Sequence, residues 1–117
     1  AAAAAGAPPP LPIPATCTRD KGLAALIVKP SLVGGLAPCR RVWAEAHRRG
    51  AACVLSSAFE SGVALCHIAV LAEAMAPAAG DAPHFHGLNT YEALATDLVE
   101  PRFEACVHGA HVSLEDA

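Results

Sequence analysis

The run "ALIVK" (Ala25 to Lys29) sets a lone lysine at the end of a stretch of hydrocarbon, and "PSLVGG" follows at once. Lysine ordinarily lies on a solvated surface. An ammonium at the mouth of a buried strand is partly shielded, so it acts on a developing anion more strongly than it would in water. A second apolar run, "AACVL" (51–55), ends in Ser56 and Ser57, with Glu60 just beyond. Further on, Gly87, Leu88, Asn89 and Thr90 form a polar turn. Polar groups thus gather where the apolar runs stop, and the runs themselves are bare hydrocarbon. Each group also has a plainer explanation. Lys29 can snorkel from a strand end to water, Ser56 and Ser57 can cap the next helix, and Glu60 can favour the dipole of that helix's first turn.

Other reactive residue types lack the partners their chemistry needs. His84-Phe85-His86 and the pair His108 and His111 have no Cys, Asp or Glu at metal-motif spacing, and they read as loop histidines. No P-loop, G-x-S-x-G elbow or G-x-G-x-x-G occurs. The five cysteines are odd in number and widely spaced, without a C-x-x-C, so they are neither a disulfide framework nor a zinc ribbon. Cys53 and Cys66 lie in apolar runs and read as small buried hydrophobes, which suits a reducing compartment. A net charge of −3 argues against nucleic acid as a partner. Arg40, Arg41, Arg48 and Arg49, with Glu45, read as one solvated helix face.

Elements must hold the polar ends together, and the pattern supplies them. Residues 1–21 read as a Pro/Ala-rich linker or insertion, without the early positive charge of a signal or transit peptide. Leu23–Val28 is a continuous apolar run, as in a strand buried on both faces of a parallel sheet. Gly34-Gly35 marks a turn, and "LAPCRRVWAEAHRRG" predicts a helix with Leu36, Cys39, Val42, Trp43 and Ala46 near one stripe at helical spacing and Gly50 as its cap. Ala51–Leu55 is a second buried strand. Gly62–Met75 predicts a helix that is apolar nearly all round and therefore covered on both sides. A short strand or turn follows at Gly87–Thr90, then a short helix from Tyr91, and 100–117 is a polar, His-rich tail with little structure. The longest apolar run, Gly62 to Ala72, is about half of what a bilayer needs, so no membrane span is expected.

The order is βαβαβ. Ala25 to Ala52 spans 27 residues, near the roughly 31 per unit of a (β/α)8 barrel. A doubly wound sheet has a similar period. Two or three parallel strands with two helices cannot cover both sheet faces, so the pattern describes part of a larger parallel α/β domain. In barrels the strand C-terminal ends carry the active site, which is where Lys29, Ser56, Ser57 and Gly87–Thr90 fall.

Three blocks, "LIVKPSLVGGL", "CVLSSAFESGVAL" and "HGLNTYEALATDLV", together resemble the C-terminal barrel segment of the o-succinylbenzoate synthases. These belong to the muconate-lactonizing branch of the enolase superfamily. The likeness covers residues 22–99 and is nearest to the synthase module of plant and algal PHYLLO-type proteins of phylloquinone biosynthesis. It implies an α/β fold, the C-terminal part (strands six to eight) of a (β/α)7β barrel. It implies a carbon–oxygen lyase that dehydrates 2-succinyl-6-hydroxycyclohexadiene-carboxylate for phylloquinone or menaquinone synthesis, and a chloroplast location. By resemblance Lys29 is the catalytic sixth-strand lysine. It faces a second lysine, the presumed base, across the substrate, and stabilises an enediolate-like intermediate through a cation–π contact with the ring. Ser56 and Ser57 resemble the seventh-strand serines that line the substrate pocket. Glu60 matches a supporting acid there, and Gly87, Asn89 and Thr90 resemble the eighth-strand loop that meets a substrate carboxylate.

The resemblance also implies Mg²⁺, whose three carboxylate ligands sit on strands three to five of the family's barrel. Those strands, the second lysine and the capping domain are not within these 117 residues, and Asp20 stands at the wrong strand end to be a ligand. They are expected from a longer polypeptide or a partner chain, with the present chain inactive alone. Another superfamily racemase or epimerase, or a non-catalytic barrel fragment that needs a partner, fits the same residues.

Overall fold

A computed structural model describes residues 10–11, 13–75, 85–100, 102–103, 107–108 and 111–112. Its centre is a parallel pair, β1 (Ala25–Val28) and β2 (Ala52–Leu55), with Ala25 opposite Ala52 and Val28 opposite Leu55. The third expected strand is reduced to one parallel bridge, Ser56 to Gly87, fixed by Gly87 N–H to Leu55 O and Ser57 N–H to Gly87 O, both 2.8 Å. Three parallel chain segments therefore end side by side, in sequence order. The expected mixed architecture holds to that extent: a small parallel sheet with helices.

Side chains alternate along a strand, so each parallel pair shares a face. Val28, Cys53 and Leu55 lie on the face covered by helices α2 (Leu36–Arg48) and α3 (Gly62–Ala74), and join Cys39, Val42, Ala46, Leu65 and Ile68 in the core. Ala25, Ile27, Lys29, Ala52, Val54 and Ser56 share the opposite face. Ile27 is 71% exposed there.

Local chemistry explains the boundaries. Pro30 stops β1 because it has no N–H for the ladder. It also opens the short helix α1 (Pro30–Val33), since proline suits a first helical position. That helical turn is not evident from the Lys-Pro break alone. Gly34 ends it at φ 96°, a conformation that other residues adopt only under strain. At the end of α2, Gly50 sits at φ 69°, while Gly50 N–H reaches His47 O and Ala51 N–H reaches Ala46 O. This is the Schellman arrangement that a glycine after a helix permits. The N-cap of α3 is Ser61, whose hydroxyl accepts from Ala64 N–H at 3.4 Å. Ser56 and Ser57 are thus not the capping pair, and Glu60 stands before the helix, outside its first turn.

Several expectations need correction. Helix α3 is not covered on both sides: Val63 and Val70 are exposed, and Cys66 is only half-buried. On α2, Cys39, Val42 and Ala46 are buried, whereas Leu36 and Trp43 border an open groove of about 800 Å³ between α2 and α3. The arginine cluster is not uniformly solvated. Arg48 and Arg49 both pair with Glu45, whose carboxyl the two guanidinium hydrogen bonds lower to about 2. Arg49 also donates to the carbonyls of Ile13, Pro14 and Cys17, so its side chain is buried and ties the entering segment to the end of α2. In the tail, β3 (Val107–His108) and β4 (His111–Val112) form an antiparallel ladder where little structure was expected. His84 and Cys106 lie outside the described residues, and Cys17, Cys39, Cys53 and Cys66 form no disulfide among the described residues. Burial raises the Cys39 thiol and, with Cys39 beside it, moves Cys53 to about 11. Neither is a ready nucleophile.

No helix among the described residues is long and apolar enough to cross a membrane.

Candidate active site

Lys29 lies one residue past β1, at the N-cap of α1, and is half-buried. Its Nζ donates to Ser57 O at 2.6 Å and to Ser56 Oγ at 3.2 Å. An ammonium carries three N–H donors. Among the described residues two are committed, both toward the end of β2. The side chain therefore does not simply extend into water. It bridges the ends of two adjacent parallel strands.

The carbonyl that receives Lys29 is itself held. The peptide group joining Ser57 to Ala58 points its oxygen at the ammonium and its N–H at Glu60, Ala58 N–H donating to Glu60 Oε2. Glu60 Oε1 accepts from Ser31 Oγ at 2.6 Å, which ties the α1 turn to the loop after β2. Burial pushes the Glu60 carboxyl up. Hydrogen bonds from Ser31 and from the amides of Ala58 and Glu60, with the charge of Lys29, outweigh it and hold the group below the ordinary glutamate value. Glu60 thus stays ionised near neutrality, and one peptide dipole lies between a carboxylate and an ammonium, aligned favourably with both.

Ser57 and Thr90 form the other support. Alternation turns Ser57 onto the helix-covered face, where it is fully buried. Its Oγ lies 3.2 Å from Gly87 O and 2.7 Å from Thr90 Oγ1. Thr90 Oγ1 also accepts Phe59 N–H at 3.0 Å. That bond holds Phe59 at φ 65°, a left-handed backbone uncommon for a bulky residue, with its ring largely exposed at the mouth. The hydroxyls of Ser57 and Thr90 are occupied by each other and by backbone. Ser56 differs: it shares the uncovered face with Lys29. The Gly87 backbone is used in the bridge. A Cβ at Gly87 would stand 3.4 Å from Ser56 Oγ, and Asn89 is exposed at the turn. Lys29, Ser56, Ser57, Gly87 and Thr90 are thus brought together, with Glu60 linked through one peptide. Asn89 lies on the rim.

One functional-looking cluster escapes the sequence. The Asp97 carboxylate accepts Gly62 N–H at 3.0 and 3.1 Å, Leu98 N–H at 2.7 Å and the Tyr91 hydroxyl. Tyr91 is buried, packs edge-on to Phe103 with centroids 5.5 Å apart, and lies under the Arg102 guanidinium at 5.3 Å. The cluster fastens the segment after the Gly87 turn to the start of α3. No local pattern in the sequence signals it, because Asp97 meets the start of a helix 35 residues before it.

The structure defines a class first: parallel α/β, with a polar site where neighbouring strands end. Comparison with known proteins narrows it. The chain is 37% identical over 82 residues to an o-succinylbenzoate synthase of Yersinia pseudotuberculosis serotype O:3 (strain YPIII), covering 70% of this chain and 24% of that protein. An o-succinylbenzoate synthase of Yersinia pestis (strain Pestoides F) is 35% identical over the same extent. No family model and no solved structure matches. The resemblance to o-succinylbenzoate synthases is therefore shown, and the chain spans about a quarter of the length of these curated relatives.

Proposed function

We propose that the chain is the C-terminal barrel segment of a Mg²⁺-dependent o-succinylbenzoate synthase, a lyase that dehydrates 2-succinyl-6-hydroxycyclohexadiene-carboxylate. The observation that carries the reading is the Lys29 ammonium, held at a strand end by Ser57 O and Ser56 Oγ with, among the described residues, one donor left over. In this role Lys29 stabilises the negative charge that forms on the substrate carboxylate when its alpha proton leaves. Ser56 and the exposed Asn89 turn contact the substrate. Ser57, Glu60, Gly87 and Thr90 keep the strand ends in place.

The described residues contain no group of three His, Cys, Asp or Glu that could hold a metal. Glu60 and Asp97 are engaged with Ser31, Tyr91 and backbone amides. The carboxylates for Mg²⁺ belong, on this reading, to strands outside the described residues. The uncovered sheet face bearing Ile27 and Val54 is where those strands pack, supplied by a longer polypeptide or a partner chain, and the chain alone is inactive. Phylloquinone synthesis and a chloroplast location extend the same reading to the plant and algal proteins.

The test is Lys29→Ala in a complete polypeptide carrying this chain, with o-succinylbenzoate formation as readout. Loss of one preorganised charge-stabilising donor lowers kcat by about 10²- to 10³-fold. Unchanged dehydration refutes the role of Lys29. Racemisation of an N-acylamino acid without o-succinylbenzoate formation moves the assignment to the racemase reading.

A further inference from the structure

Thr90 lies in the turn that the family likeness assigns to substrate binding, yet its hydroxyl faces inward. Thr90 Oγ1 accepts Phe59 N–H at 3.0 Å and shares a hydrogen bond with Ser57 Oγ at 2.7 Å. Ser57 Oγ also lies 3.2 Å from Gly87 O, to which it can donate, and accepts Thr90 N–H at 3.4 Å. With Thr90 as donor to Ser57, every one of these contacts is satisfied at once. Residues 57 and 59 are thereby fixed on both sides of one peptide group, the group whose carbonyl receives Lys29 at 2.6 Å.

We propose that Thr90 is a positioning residue for Lys29, acting through the Ser57 hydroxyl and the Phe59 amide to hold the Ser57 carbonyl against the ammonium. Glu60 holds the same peptide from its N–H side. The left-handed backbone of Phe59, φ 65°, accompanies this arrangement, its amide received by Thr90. The catalytic meaning rests on the synthase reading. The positional claim does not, because it concerns contacts within this chain.

The chain offers a direct probe. Lys21 and Lys29 are its only lysines, and Lys21 is exposed. Competitive acylation of a complete polypeptide carrying this chain with acetic anhydride, read peptide by peptide, gives the reactivity of Lys29 relative to Lys21 in one sample, without substrate or metal. Thr90→Val removes the hydroxyl and keeps the shape. Relative labelling of Lys29 should rise by about two- to tenfold, the range expected for one lost hydrogen bond, and Thr90→Ser should restore protection. Protection of the buried Cys39 and Cys53 from a thiol reagent, scored in the same samples, reports whether the core persists. Unchanged Lys29 labelling with both thiols protected overturns the proposal. If Thr90→Val exposes the thiols, Ser57→Ala decides, since it breaks the Ser57–Thr90 contact without adding bulk. Raised Lys29 labelling then supports the proposal, and unchanged labelling overturns it. Because no activity is read, a failure here is separate from a failure of the synthase reading.

Discussion

Tyr91→Phe removes one oxygen and leaves the ring, which is 2% exposed, in its place against Phe103. That oxygen donates to Asp97, accepts Phe103 N–H at 3.2 Å, and receives Arg102 Nε at 3.5 Å. In the variant the buried Phe103 amide has lost this acceptor. An unpaired buried donor costs about 1–3 kcal/mol. If the latch opens locally, as segments of few contacts do, protection of the Phe103 and Gly62 amides from hydrogen exchange should fall by about five- to 150-fold. The strands should change little, because β1 and β2 do not touch Tyr91's hydroxyl. Peptide-resolved exchange measures both regions in one experiment. The pH dependence gives a second reading. Asp97 is held below the ordinary aspartate value of 3.8, chiefly by the Tyr91 hydroxyl, against burial and with help from the Gly62 and Leu98 amides and Arg102. A depressed carboxyl stabilises the folded form above its unfolded pKa, and this is lost as pH falls through the folded value. In Tyr91→Phe the Asp97 carboxyl should move up toward 3.8, seen by carbon NMR of the carboxylate. Protection within twofold of wild type, together with an unmoved Asp97 titration, would refute the latch.

Gly62→Ala should open the same latch from the other side. A Cβ there would fall on Asp97 Oδ2, well inside van der Waals contact, and 3.2 Å from Phe103 Cβ. Loss of exchange protection at the amides of residue 62 and Phe103 is expected despite the better helix propensity of alanine, and increased protection would contradict it. Arg49→Ala should release residues 13–17 from the end of α2, making them the first site of limited proteolysis, with β1 and β2 intact. An unchanged cleavage pattern would show that the three carbonyl contacts do not hold the segment.

Both strands and both long helices were legible because each is written in local code. Apolar runs ended at Lys29-Pro30 and Ser56, Gly50 followed the last turn of α2, and Gly62–Ala74 was apolar but for His67 and Glu73. The meeting of Lys29 with Ser56 and Ser57 followed from parallel order alone. What stayed hidden depends on faces and distance. Nothing local says that Ser57 turns inward while Ser56 stays on the open face, since that follows from strand register. Arg49 looked like a surface charge until the segment around Cys17 came back to it. Asp97 and Gly62 are 35 residues apart, and no periodicity links them.

The parallel order also shapes how such a chain grows. Ala25 pairs with Ala52, and Leu55 N–H donates to His86 Nδ1, contacts separated by 27 and 31 residues. Each strand thus finds its place against the one just made, over a loop of nearly constant length, so the closure entropy per added strand hardly changes along the chain. Assembly can then proceed strand by strand as the polypeptide lengthens.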